Sequence, residues 1–154
     1  MAMTMTGQVD LPASREKVWT ALNDPEVLKA CIPGCQELNK VSDAEYVAVA
    51  TNKVGPIKAT FKGRVRFSDV EPLVGYRISG EGDGGLAGFA KGGANVKLSD
   101  KEGGTVLSYE VEVQVGGKIA QLGQRLINST AKKLADDFFN RFAETMGGKP
   151  ASPQ

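Results

Sequence analysis

Cys31 and Cys35 stand four residues apart around Ile32-Pro33-Gly34, close enough in sequence to share a metal ion or to join in a disulfide. A tetrahedral zinc site takes four thiolate, imidazole or carboxylate ligands. The chain has 2 cysteines and no histidine, so the pair supplies half of such a site at most. Reduced, partly buried thiols are the simpler expectation, with no metal and no resident cofactor. The missing histidine also removes Ser–His and Cys–His nucleophiles and imidazole acid–base work. Gly80-x-Gly82-x-x-Gly85 has the spacing of a dinucleotide fingerprint, but that motif follows a strand and opens a helix. Here Asp83-Gly84-Gly85 is turn chemistry between two strands. Glu110 and Glu112 fall on the outer side of a strand and read as solvated charges instead of a catalytic pair. Lys58, Lys62, Arg64 and Arg66 form one basic strand face, either a solvated surface or a dock for an acidic partner. Aromatics do not interleave with these charges and the net charge is +1, so nucleic acid is not an expected partner.

The elements that must position these residues follow from periodicity. Met3, Met5, Gly7, Val9 and Leu11 alternate with polar residues, as in a half-buried first strand that ends at Pro12. Ser14 caps a short helix with Val18, Trp19, Ala21 and Leu22 on its apolar side, and Asp24-Pro25 starts a second. Strands are expected over 37–41, 45–53, 57–68, 75–81, 88–99 and 105–115. Short turn signals between them favour an antiparallel meander. From about Lys118 to Thr145 an apolar stripe of Ile119, Leu122, Leu126, Ile127, Ala131, Leu134, Phe138 and Phe142 predicts one long helix. Asp137 and Arg141 in it are spaced to pair. The fold class is therefore α+β: a curved antiparallel sheet of about seven strands wrapped around a long C-terminal helix, with two short helices after the first strand. Residues 1–146 make the ligand-binding domain, and residues 147–154, of linker composition, a disordered C-terminal stub.

Such a sheet gripping such a helix leaves room for a hollow. The inner faces of two neighbouring strands carry Gly80 and Gly82, then Gly88, Ala90, Gly92 and Ala94. Glycine there marks a sharp bend, unfilled space, or both. If space, the floor is Ala90, Gly92 and Ala94, and the walls are Phe61, Val65, Phe67, Tyr76, Ile78 and Tyr109. Leu122 and Leu126 would close it from the helix, and Trp19 would stand at core or rim. That arrangement suits a flat apolar ligand. No apolar run reaches the length of a membrane span, and Met1–Val9 lacks the basic start and apolar block of a signal peptide, so a cytoplasmic protein is expected.

Four segments carry a family resemblance: Cys31-Ile-Pro-Gly-Cys35, Val54-Gly-Pro-Ile57, Gly92-Gly-Ala-Asn-Val-Lys-Leu98 and Val115-Gly-Gly-Lys-Ile-Ala-Gln-Leu-Gly-Gln-Arg-Leu-Ile127. With these the chain resembles the G-subunit family of carbon monoxide dehydrogenase, a branch of the START/birch-pollen-allergen superfamily of helix-grip folds, over about residues 3–145. The resemblance implies an accessory protein that is not an enzyme. Its partners would be a quinone-like or lipid small molecule and a molybdenum-containing dehydrogenase, with peripheral contact at the inner face of the cell membrane. Many members carry a long Pro/Ala-rich tail ending in an apolar anchor; the residues after Met146 do not match that pattern. Two rivals stay open on the same fold: a polyketide-cyclase-like enzyme, which needs polar groups converging in the hollow (Tyr76, Tyr109 and Asn95 are the supply), and an assembly factor with an incidental cavity.

Overall fold

A computed structural model describes residues 2–147. Its elements in chain order are β1 (Ala2–Leu11), α1 (Arg15–Leu22), α2 (Pro25–Cys31), β2 (Cys35–Ser42), β3 (Glu45–Val54), β4 (Ile57–Glu71), β5 (Gly75–Asp83), β6 (Phe89–Lys101), β7 (Gly104–Gly116) and α3 (Gln124–Thr145). The strands form one antiparallel sheet of seven, in the order β1-β7-β6-β5-β4-β3-β2. Strands β2 to β7 are a plain meander, and β1 returns to pair with β7 from Ala2↔Gln114 to Leu11↔Thr105. The linker expected at the C-terminus lies, from residue 148 on, outside the described residues.

Local chemistry explains the junctions. The Ser14 side chain accepts the Lys17 N–H at 3.3 Å, and Asp24 accepts the Glu26 N–H at 2.9 Å with Pro25 opening α2. Each cap satisfies a donor that the first helical turn cannot. Thr105 is fully buried because its hydroxyl donates to the Ala13 carbonyl at 2.7 Å, tying β7 to the segment that leads into α1. On β4, period-two alternation puts Ala59 and Phe67 inside and leaves Lys58, Lys62, Arg64 and Arg66 exposed.

The expected single helix from 118 to 145 is two pieces. Lys118–Leu122 is a 3-10 turn, Gly123 takes φ 100° and ψ 154°, and α3 begins at Gln124. That backbone conformation is open to glycine and interrupts the helical hydrogen-bond ladder although the apolar stripe runs on through it. The 22 residues of α3 span about 33 Å, enough to cross the sheet. Asp137 pairs with Lys133 at 3.4 Å, one turn before it, instead of with Arg141.

The interior has two parts. An aromatic cluster at one end joins α1, α2 and the last turns of α3 to the sheet through Leu22, Tyr46, Phe67, Tyr76, Leu107 and Phe142. A smaller aliphatic cluster at the other end joins Val54, Ala59, Ala87, Val115, Ile119 and Ile127.

Candidate ligand cavity

Between the two clusters the inner face of the sheet is bare. A cavity of about 420 Å³ lies there. Ala48, Ala50 and Asn52 of β3, Phe61, Gly63 and Val65 of β4, and Ile78, Gly80 and Gly82 of β5 line one part. Ala90, Gly92 and Ala94 of β6 and Val111 and Val113 of β7 line the rest, with Ile32 and Cys35 at the α2–β2 junction. Arg64, Glu81, Lys91 and Glu112 also border it, but they alternate with the inward residues and are exposed. Three of these charges are engaged on the far side of the sheet: Arg64 with Glu45 at 3.2 Å, Glu81 with Arg66 at 3.7 Å, and Glu112 with Arg77. Charge is thus kept out of the hollow. α3 supplies none of the lining. Its buried side chains go to the ends, Ile127 to the aliphatic cluster and Phe139, Phe142 and Ala143 to the aromatic one.

Bend and hollow turn out to be linked. A Cβ on Gly63 would overlap the carbonyl oxygen of Glu81, and one on Gly92 the carbonyl oxygen of Glu112. At these two positions neighbouring backbone comes too close for any side chain, so glycine is what lets the sheet curl. Gly80 and Gly82 are tight without overlap, with built Cβ atoms 3.2 Å from the Arg64 carbonyl oxygen and the Phe61 Cβ. The curl makes the concavity, and the small side chains of Ala48, Ala50, Ala90 and Ala94 leave it unfilled.

Of the twelve expected ligand-contact residues, Phe61, Val65, Ile78, Ala90, Gly92 and Ala94 line the cavity. The other six lie elsewhere. Phe67 and Tyr76 are 4.9 Å apart, ring centre to ring centre, inside the aromatic cluster, and Trp19 is 5.6 Å from Tyr76. The Tyr76 hydroxyl donates to the Leu22 carbonyl at 3.4 Å, and burial pushes its pKa far up. Tyr109 stacks on Phe139 at 4.1 Å and 11°, its ring lying over Gly7 of β1. Desolvation, with the Asp136 carboxylate second, raises its pKa as well. Leu122 belongs to the aliphatic cluster, and Leu126 lies over Gly55 in the β3–β4 turn. Asn95 points outward, accepting a hydrogen bond from Arg77 at 3.3 Å. Ile32, Cys35, Ala48, Ala50 and Asn52 also line the cavity and were not among the expected contacts. The signal for three of them was present in the alternation Tyr46-x-Ala48-x-Ala50-x-Asn52-x-Val54, whose ends are buried.

Both thiols are free. Cys31 is buried with its Sγ 3.9 Å from the Thr145 hydroxyl, and Cys35 donates to the Glu37 carbonyl at 3.4 Å. Burial raises both thiol pKa values, which favours the inert neutral form. Among the described residues no three metal-capable side chains cluster, and no helix is long and apolar enough to cross a membrane. What the cavity offers is shape and apolar contact, with the Asn52 amide and the Cys35 thiol as its inward polar groups.

A seven-stranded antiparallel sheet curled against a C-terminal helix, with two short helices between β1 and β2, defines a helix-grip protein. Solved structures agree. A conserved protein from Geobacillus kaustophilus superposes with a TM-score of 0.86 at 27% identity, over 94% of this chain and 95% of that one. Ara h 8.0201 does so with 0.67 at 15% identity, over 95% and 98%, and the Zhui aromatase/cyclase from Streptomyces sp. R1128 with 0.69 at 11%, over 96% and 94%. The last two likenesses speak for the fold alone. The family model of CoxG, the carbon monoxide dehydrogenase G-subunit family, matches residues 7–147, and the chain belongs to that family. No curated protein sequence matches it.

Proposed function

We propose that this chain is a non-catalytic accessory protein that holds a flat lipophilic molecule of quinone type in its cavity and links a molybdenum-containing dehydrogenase of the carbon monoxide dehydrogenase type to the respiratory membrane. The observation that carries the reading is the cavity itself: about 420 Å³ of unfilled space between two packed clusters, bordered by alanine, glycine and aliphatic side chains. That volume falls in the range of about 300–1,000 Å³ usual for small-molecule sites. Membership of the CoxG family supports the choice of partner enzyme. A cyclase on the same fold would need polar groups converging on one reacting atom. The Tyr76 and Tyr109 hydroxyls lie outside the cavity lining, Asn95 faces out, and the chain has no histidine.

The test is isothermal calorimetry with water-soluble quinones such as menadione, paired with mass spectrometry of whatever lipophilic molecule co-purifies. Micromolar, saturable, one-to-one binding with the quinone recovered unchanged is expected. Absence of saturable binding across several quinones, or conversion of the ligand to a cyclised product, would sink the proposal. Trp19 is a poor optical reporter here, because its ring packs in the aromatic cluster and not at the cavity wall.

A further inference from the structure

The end of the molecule that carries the aliphatic cluster has a pattern the cavity does not use. Three connections meet there: residues 53–58 between β3 and β4, residues 83–89 between β5 and β6, and residues 116–126 leading into α3. Leu122 and Leu126 lie against Gly55, and Gly88 runs against the backbone of Gly116 and Gly117. Leu86 sits at the tip, 95% exposed, in a 3-10 turn flanked by Gly84, Gly85 and Gly88, and Phe89 beside it is 46% exposed. A single exposed apolar side chain is ordinary, but Leu86 and Phe89 stand three residues apart on one short connection and together put two large apolar side chains in water there.

Charge around that tip is one-sided. Lys53, Lys58, Lys118 and Arg125 are exposed, and none makes an ion pair or side-chain hydrogen bond among the described residues. Lys53 and Lys58 stand directly opposite each other across the β3–β4 ladder, where like charges repel. The only carboxylate in the three connections is Asp83, which accepts the Gly85 N–H at 2.8 Å. The whole chain carries 19 cations and 18 carboxylates, so outside this end the carboxylates are in excess. Exposed apolar side chains on a connection packed against those that carry the four unpaired cations are complementary to an anionic surface that yields to a wedge. A protein partner would have to present a matching pocket, whereas a bilayer accepts the side chain at its headgroup–acyl boundary and supplies the anions.

We infer that this end docks on an anionic lipid surface, with Leu86 entering the apolar boundary and Lys53, Lys58, Lys118 and Arg125 in the headgroup layer. Phe61 connects the dock to the cavity: it lines the hollow, and its ring edge lies 2.8 Å from where a Cβ on Gly84 would stand. The purpose of the dock, exchange of a lipophilic molecule with the membrane, rests on the proposed carrier reading; the docking itself is measured without it.

The experiment is flotation of the full chain with vesicles of phosphatidylglycerol and phosphatidylcholine in equal parts, against phosphatidylcholine alone, with menadione calorimetry run in parallel. The chain should float with the anionic vesicles only. Leu86→Asp should bind at least about tenfold more weakly, and Lys53→Gln combined with Lys58→Gln about fivefold more weakly for each charge removed. Val41→Asp, at the β2–β3 end and 59% exposed in the parent, should float unchanged. All variants should keep the parent's menadione affinity. Failure of the parent to float with anionic vesicles, Leu86→Asp floating like the parent, or Val41→Asp losing as much as Leu86→Asp would overturn the docking inference. So would capture by a purified dehydrogenase that Leu86→Asp abolishes while vesicles are ignored. Vesicle binding without any menadione binding would uphold the dock and sink the carrier reading.

Discussion

The aromatic end of the sheet and the band in its middle are built on the same strands and solve opposite problems. At the aromatic end, β3, β4 and β5 present Tyr46, Phe67 and Tyr76, and rings meet rings at 4.9 to 5.6 Å. Helices close over them: Val18 and Phe142 are wholly buried and Leu22 nearly so. A few residues along, the same strands present Ala48, Gly63 and Gly80 to the inside, and no residue of α1, α2 or α3 lines the hollow they face. The lesson is that large groups here are a sign of a filled interior and small groups of an open one. Rings that look like walls for a ligand are already satisfied by each other.

The comparison can be broken from either side, and the largest effect is expected at the packed end. Phe142→Ala should cost about 3–5 kcal/mol in a urea melt, because a wholly buried ring leaves a void that rigid neighbours cannot fill. Folded variant protein should bind menadione with the parent's affinity, since Phe142 does not touch the cavity. A cost below about 1 kcal/mol would mean the aromatic end is as loose as the band. Next comes the bend: Gly63→Ala should cost about 3 kcal/mol, because the new methyl meets the Glu81 carbonyl oxygen and β4 must part from β5. An unperturbed melt would show that curvature does not depend on that close approach.

How far all this could be read in the residues depends on what sets each feature. β1 and β4 were legible because one polar face alternates with one apolar face, and that period needs no knowledge of neighbours. Caps at Ser14 and Asp24 were legible for the same local reason. The break at Gly123 was not, because Ile119, Leu122, Leu126 and Ile127 keep a helical apolar spacing across it and only the backbone angles of Gly117 and Gly123 betray the turn. The site was half legible. Alternation shows that Phe67, Tyr76 and Tyr109 face inward, but not that α1 brings Trp19 to Tyr76 or that α3 brings Phe139 to Tyr109. Those are long-range contacts, set by where helices land. Ala48 and Ala50 drew no attention because a small side chain declares nothing until its neighbours are known to be absent.

Alkali sharpens the contrast by a smaller amount. Cys31 and Tyr76 are both buried in the aromatic cluster, and burial raises their pKa values above the ordinary 9.0 and 10.0. Their neutral forms are favoured in the folded chain, so the unfolded chain ionises first. Stability is therefore complete below about pH 9 and falls as pH rises, by about 1.4 kcal/mol per pH unit for each group ionised only when unfolded. Urea melts from pH 8 to 11 should show the slope steepening above pH 10, and Tyr76→Phe should reduce that second increment, leaving the part due to Tyr109. A flat profile would mean these groups are not desolvated. The smallest effect on stability is expected in the band: Ala94→Phe should change the melt by about 1 kcal/mol or less, since the ring can occupy space already empty. A loss of about 3 kcal/mol would mean that the band is packed.

Ala94→Phe also gives the most direct measurement of the central claim, that the band between the clusters is a binding cavity. Menadione is titrated calorimetrically into the parent chain and into the variant at equal folded concentration. The account predicts saturable micromolar binding to the parent and at least a tenfold loss in a variant whose melt is unchanged. Equal affinity in the two proteins, with the new ring seated between Ile78 and Val111, would contradict it.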